Sequence, residues 1–68
     1  MAISIFLNGE QHTAPEGQTI LELLRSLEIE PQRVAIEMDR RIVKQPNWTA
    51  TELHDGAQVE IVQFVGGG

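Results

Sequence analysis

The chain is 68 residues long, with no cysteine and with ten acidic against five basic residues, a formal net charge of −5. That length supports one small domain, which buries only roughly 60% of the surface its unfolded chain exposes, so there is little room for a deep catalytic cleft. Without cysteine there can be no disulfide framework, thiol nucleophile or thiolate metal site, and the acidic balance disfavours binding to nucleic-acid phosphates.

Residues 1–7 predict a strand, because Ile3, Ile5 and Leu7 alternate with Ala2, Ser4 and Phe6. Asn8-Gly9 predicts a type I′ hairpin turn, whose two central residues both need positive φ. Glu10 to Ala14 return as a second strand, whose polar Gln11, His12 and Thr13 suggest an edge or a solvated face, and Pro15-Glu16-Gly17 breaks it. Thr19 and Glu22 then form a T-x-x-E capping box, in which each side chain satisfies the other's backbone N–H. Ile20, Leu23, Leu24 and Leu27 follow at i, i+3, i+4 and i+7, one apolar stripe of a helix that Pro31 is expected to stop.

Val34 to Met38 reads as a mostly buried third strand, Asp39-Arg40 as a turn and Arg41-Ile42-Val43 as a short fourth strand. Gln45-Pro46-Asn47 opens a loop that Trp48 pins to the core. Thr49 to Leu53 is expected to form one helical turn with Leu53 inward. Asp55-Gly56 is a further turn, and Gln58 to Phe64 the last strand, with Val59 and Ile61 on one face. The order β-β-α-β-β-β predicts an α+β domain, a mixed sheet of about five strands packed on one helix. No apolar run approaches the ~20 residues that span a bilayer, and Met1-Ala2-Ile3-Ser4 lacks the basic region of a signal peptide. The expectation is a soluble, cytoplasmic protein with no membrane partner. Its negative charge serves either solubility or steering toward a basic docking surface on a partner.

The ending Gln63-Phe64-Val65-Gly66-Gly67-Gly68 holds half of the six glycines. Glycine loses the most freedom on ordering, so a flexible end is expected here. Two readings of it stay open. It is a fraying end without a role, or it is a probe, because a glycine strand has the smallest cross-section a peptide can have and can enter a narrow tunnel. The terminal carboxylate has no side chain to block attack on its carbon. As an anion it is a poor electrophile, and adenylation by ATP would turn it into a mixed anhydride. A sulfur nucleophile displacing AMP would leave a thiocarboxylate, a way for a chain without cysteine to carry sulfur.

Asn8-Gly9-Glu10, the helix start Thr19-Ile20 with Leu23-Leu24, Val34-Ala35-Ile36-Glu37, Ile42-Val43, Trp48, Leu53 with Asp55-Gly56, Val59-Glu60-Ile61-Val62 and the ending Val65-Gly66-Gly67-Gly68 together resemble the ThiS family of sulfur carriers in thiamine biosynthesis. The resemblance runs from the first strand to the last residue. It implies a ubiquitin-like β-grasp fold, with residues 1–64 as the domain and 65–68 as a flexible tail bearing the reactive carboxylate. It implies a carrier, not an enzyme, with no bound cofactor. Gly68 would be adenylated by a ThiF-like adenylyltransferase that uses ATP and magnesium, converted to a thiocarboxylate, and would pass its sulfur to a ThiG-like thiazole synthase. Gly67 and Gly68 would lie in the partner's active site, with Val65 and Gly66 at its entrance. The chain departs from many relatives at Asp39-Arg40, where they have Asn-Gly or a similar turn, and at Ala57, where they have an acid; both positions read as surface turns. The MoaD-type carriers share the architecture but tend to be longer and to carry prolines before the tail, which Gln63-Phe64-Val65 lacks. A MoaD-like carrier, a protein modifier joined to lysines and a non-reactive ubiquitin-like docking module remain the alternatives.

Other residues read as structural. His12 and His54 have no neighbours at metal-ligand spacing and are expected on the surface, with no metal site. Glu28, Glu30 and Asp39 read as solvated charge, and Trp48 as core. Phe64 is open: it sits where the last strand leaves the domain and is either a partner contact or an ordinary exposed residue.

Overall fold

The computed structural model describes residues 1–64. Asn8 and Gly9 both sit at positive φ, 50° and 85°, and join β1 (Ala2–Leu7) to β2 (Glu10–Pro15). The two strands pair antiparallel from Leu7↔Glu10 to Ala2↔Pro15. Pro15 therefore does not break the strand but ends it. β2 is an edge strand, where a proline's missing N–H leaves no ladder bond unmade.

Thr19 caps α1 (Ile20–Ser26): its Oγ1 accepts the Glu22 N–H at 3.2 Å, and Glu22 Oε1 accepts the Thr19 N–H at 2.9 Å. Ile20, Leu23 and Leu24 are buried, which lays the helix across the sheet. The helix ends four residues earlier than Pro31 would require. Glu28 turns left-handed, with φ 58°, the Glu28 N–H bonds the Arg25 carbonyl at 3.0 Å, and the Ile29 N–H bonds the Leu24 carbonyl at 2.9 Å. This is a Schellman closure with glutamate at the position glycine usually takes, and it folds Ile29 back onto the core. Pro31 instead opens a single 3₁₀ turn, Pro31–Arg33.

β3 (Val34–Met38) and β4 (Arg41–Val43) form a second hairpin through Asp39-Arg40, at φ 51° and 69° without a glycine. The expected helical turn over Thr49–Leu53 lies earlier, as a 3₁₀ turn at Gln45–Asn47 with Pro46 in its first turn. Thr51 closes that segment by donating both its N–H and its hydroxyl to the Asn47 carbonyl. Glu52 then bridges Thr19, and the Leu53 N–H bonds the Gln18 carbonyl at 2.8 Å, so residues 52–53 are drawn out extended. Leu53 points inward as expected, and Trp48 is buried with its indole N–H donated to the Val43 carbonyl at 2.7 Å.

β5 (Gln58–Gln63) completes a sheet in the order β2-β1-β5-β3-β4, in which only β1 and β5 run parallel. One core, including Ile5, Ile20, Leu23, Leu24, Ile36 and Val59, lies between helix and sheet. Ala57 belongs to it, which corrects its reading as a surface turn. It has no exposed surface, and its carbonyl accepts the Phe6 N–H at 2.8 Å as β5 meets β1. Among the described residues no helix is long and apolar enough to cross a membrane.

Candidate functional site: the end of the central strand and the open sheet face

β5 is the middle strand, so the sheet fixes the path of the chain toward its C-terminus from both sides. On one side β3 pairs with it from Met38↔Val59 to Val34↔Gln63, and the Phe64 N–H adds a bond to the Arg33 carbonyl at 2.8 Å. On the other side β1 contributes only Phe6↔Gln58 and Leu7↔Val59 before it turns away. The Asn8 carboxamide takes the next place in the ladder: Oδ1 accepts the Ile61 N–H at 2.8 Å and Nδ2 donates to the Ile61 carbonyl at 3.3 Å. An amide side chain carries the same donor–acceptor pair as a peptide group, so it continues the pairing without a strand. The sequence marks Asn8 as a turn residue, and nothing in it signals this second role.

Phe64 is 62% exposed where β5 ends. Val65, Gly66, Gly67 and Gly68 lie outside the described residues, so the geometry of the site is that of its base. The strand alternation sends Val59 and Ile61 to the helix side and Glu60, Val62 and Phe64 to the other. Phe6 and Ile42 share that outer face, by their registers with Gln58 and with Glu37. Among the described residues, four of the five large exposed hydrophobic residues thus lie on one face, Met1 being the fifth. Glu37 and Glu60 stand directly opposite each other there, on β3 and β5. The sequence reading named Phe64 alone; the period of two in β1 and β5 was the available signal for Phe6 and Val62.

A family model described as the ThiS family matches residues 5–68. The chain belongs to the ThiS family. The sulfur carrier protein ThiS of Escherichia coli is 29% identical over 66 residues, covering 97% of this chain and 100% of that one. A thiazole synthase of Magnetococcus marinus is 39% identical over 66 residues, and the chain spans about a fifth of its length, as it does of a second such relative. The crystal structure of a thiamine biosynthesis protein, ThiS, from Geobacter metallireducens superposes with a TM-score of 0.84 at 29% identity, covering 97% of this chain and 100% of that one. The mixed five-stranded sheet on one helix is the β-grasp fold of this ThiS-family structure.

Among the described residues no three His, Asp or Glu side chains gather closely enough to hold a metal ion. His54 instead pairs with Asp39, Nε2 to Oδ2 at 2.6 Å, while its Nδ1 lies 3.0 Å from the Asp55 carbonyl. Both nitrogens can donate at once only in the imidazolium form. The Gln58 N–H, donated to Oδ1 at 3.0 Å, and then His54 hold the Asp39 carboxyl below its ordinary range. Asp39, followed by the Asp55 carbonyl, holds His54 above its ordinary value. The strap ties the β3–β4 turn to the loop that leads into β5.

Its stabilisation by His54 is complete below the unfolded histidine's pKa, about 6.5, and fades as pH rises through the higher folded value. The Asp39 share is present above the ordinary carboxylate range and fades as pH falls through the lowered value. Both side chains are about half exposed, so solvent screening limits the pair to under about 1 kcal/mol. His54→Gln should therefore lower Tm most just below about pH 6.5 and progressively less as pH rises through the raised folded value, read from melting curves across that range. A deficit that does not vary with pH would assign His54 a packing role only.

Proposed function

We propose that this chain is a sulfur carrier protein for thiazole formation in thiamine biosynthesis, and that its working group is the α-carboxylate of Gly68. The observation that carries the reading is a family match that runs to residue 68 and includes the Gly66-Gly67-Gly68 ending. The 66-residue similarity to thiazole synthases supports the partner class, since a domain found within an enzyme of that name is suited to act with one.

In this mechanism a carboxylate oxygen of Gly68 attacks the α-phosphorus of ATP in a ThiF-like adenylyltransferase, and pyrophosphate leaves with magnesium. The acyl adenylate has lost the negative charge that repelled nucleophiles, and AMP is a good leaving group. A sulfide-level sulfur donor then attacks the carbonyl carbon, and AMP departs with the original carboxylate oxygen. The product is a thiocarboxylate, from which a ThiG-like thiazole synthase takes sulfur. The chain supplies no catalytic group. Its domain holds Phe64 at the end of β5 by the Arg33 bond, and residues 65–68 reach from there into the partner. Over four residues that reach is about 13 Å.

The test is intact mass spectrometry after incubation with ATP, magnesium, the ThiF-like enzyme and a sulfide source. The expected product carries one sulfur in place of one oxygen, mapped by fragmentation to Gly68. An unchanged mass beside an enzyme shown to be active would reject the carrier reading.

A further inference from the structure

β5 is held unequally on its two sides. β3 pairs with every residue from Val59 to Gln63, and the Arg33 carbonyl adds Phe64. β1 is in register with Gln58 and Val59 alone among the described residues. Beyond Val59 a single residue, Asn8, takes over that side. Its backbone N–H donates to the Val59 carbonyl at 2.8 Å, and its carboxamide accepts from the Ile61 N–H and donates to the Ile61 carbonyl. The chain is already turning away there, with Asn8 at φ 50° and Gly9 at φ 85°. One side chain thus stands where a longer β1 would have paired. The turn itself does not need the carboxamide, since glycine and aspartate also accept positive φ in a type I′ hairpin.

We propose that Asn8 is a positioning residue for activation of the C-terminus: its carboxamide fixes the direction in which β5 delivers residues 65–68. The inference rests on the carrier reading. Asn8 acts through Ile61, not on the reacting atoms. With β3 as its only neighbour, the end of β5 would be half of a two-stranded ribbon, and such ribbons twist more than strands inside a sheet. Ile61 is the last described residue held from both sides, by its register with Ile36 and by Asn8. Seven residues separate it from Gly68, at most about 23–25 Å of chain. A change of about 5° in direction at Ile61 displaces the end of such a span by about 2 Å. A misplacement near 1 Å is enough to cost about 100-fold where reacting atoms must align. The partner's grip on residues 65–68 recovers part of that alignment, which leaves an expected loss of about tenfold.

The experiment compares the full-length chain with its Asn8→Gly, Asn8→Asp and Thr19→Ala variants. Glycine removes both side-chain bonds. Aspartate keeps the acceptor and sets a second, anionic oxygen against the Ile61 carbonyl; both residues suit the turn. Thr19→Ala removes the helix cap, a loss of stability away from β5. Pyrophosphate exchange with the ThiF-like enzyme gives kcat and KM for each chain, well below its melting temperature. Amide hydrogen exchange without enzyme gives the protection of each backbone N–H. Asn8→Gly should lower kcat about tenfold with KM within about twofold, and Asn8→Asp should lower kcat at least about threefold. Protection of the Ile61 amide should fall at least about fivefold in Asn8→Gly and persist in Asn8→Asp. The amides shared between β1 and β2 should stay protected in both, and Thr19→Ala should keep the wild-type kcat. Wild-type kcat in either Asn8 variant, a change in KM alone, full Ile61 protection in Asn8→Gly, or an equal kcat loss in Thr19→Ala would each overturn the proposal. Loss of the β1–β2 protection in both Asn8 variants would also overturn it, by reducing Asn8 to a turn residue. No pyrophosphate exchange by the wild-type chain, beside an enzyme shown to be active, would reject the carrier chemistry and this role with it. Pyrophosphate exchange by wild type that the Asn8 variants match would reject the role alone and leave the carrier chemistry standing.

Discussion

Leu24→Ala should destabilise the domain by about 2–5 kcal/mol, the range for truncating a fully buried leucine. Leu24 has no exposed surface and lies in the cluster that joins the helix to the sheet. Alanine is the better helix former, so the substitution leaves α1 intact and isolates the packing loss. A chain of 68 residues holds in total only about 3–10 kcal/mol of stability. The change therefore removes a large share of it, a drop in Tm of about 4–8 °C for each kcal/mol. No disulfide takes up the deficit, since the chain has no cysteine. The measurement is a denaturant titration: the midpoint should fall while the slope stays constant. A midpoint shift equivalent to less than about 0.5 kcal/mol would mean that Leu24 is not packed as described. Phe64→Ala is the matched control. It deletes a larger side chain from an exposed position and should leave the midpoint nearly where it was.

The contrast between Leu24 and Phe64 separates what was legible in the sequence from what was not. Periodicity marks buried faces, and Ile20, Leu23 and Leu24 at helical spacing and Ile5 and Val59 at strand spacing were found by it. Short-range chemistry marks turns and caps: Asn8-Gly9 and Thr19 with Glu22 each satisfy local backbone needs, so neighbours in sequence suffice to read them. The misreadings share a different cause. The helix ends at a left-handed Glu28 because Ile29 has a core to return to, a tertiary reward that no local pattern carries. Residues 52–53 are extended because Thr19 and Gln18 pair with them from the far side of the helix start. Ala57 is buried because β5 meets β1 there, which is a fact of topology. The same limit applies to the site. Phe64 was visible as an aromatic beside the tail. The Glu37–Glu60 opposition was not, because it depends on the register between two strands that are far apart in sequence.

Deleting Gly68 should lower the rate of adenylation by at least about 100-fold while leaving Tm unchanged. The deletion moves the terminal carboxylate back by about 3.3–3.6 Å, one residue's reach, and a misplacement near 1 Å is enough to cost about two orders of magnitude in a reaction that depends on alignment. The backbone hydrogen bonds that hold the described domain join residues within 1–64, and the deletion leaves all of those residues in place. Appending one alanine after Gly68 should be as damaging by overshoot, and a methyl group would then stand beside the reacting carbon. The shortened chain keeps every described residue, so its KM should move far less than its kcat. Pyrophosphate exchange with each variant reads both constants. Adenylation at the wild-type rate in the chain lacking Gly68 would overturn the assignment of the working carboxylate to Gly68, and no adenylation of the full chain by an enzyme shown to be active would favour the docking module. Activation of Gly68 followed by attachment to lysines, with no free thiocarboxylate, would assign the same carboxylate to a modifier.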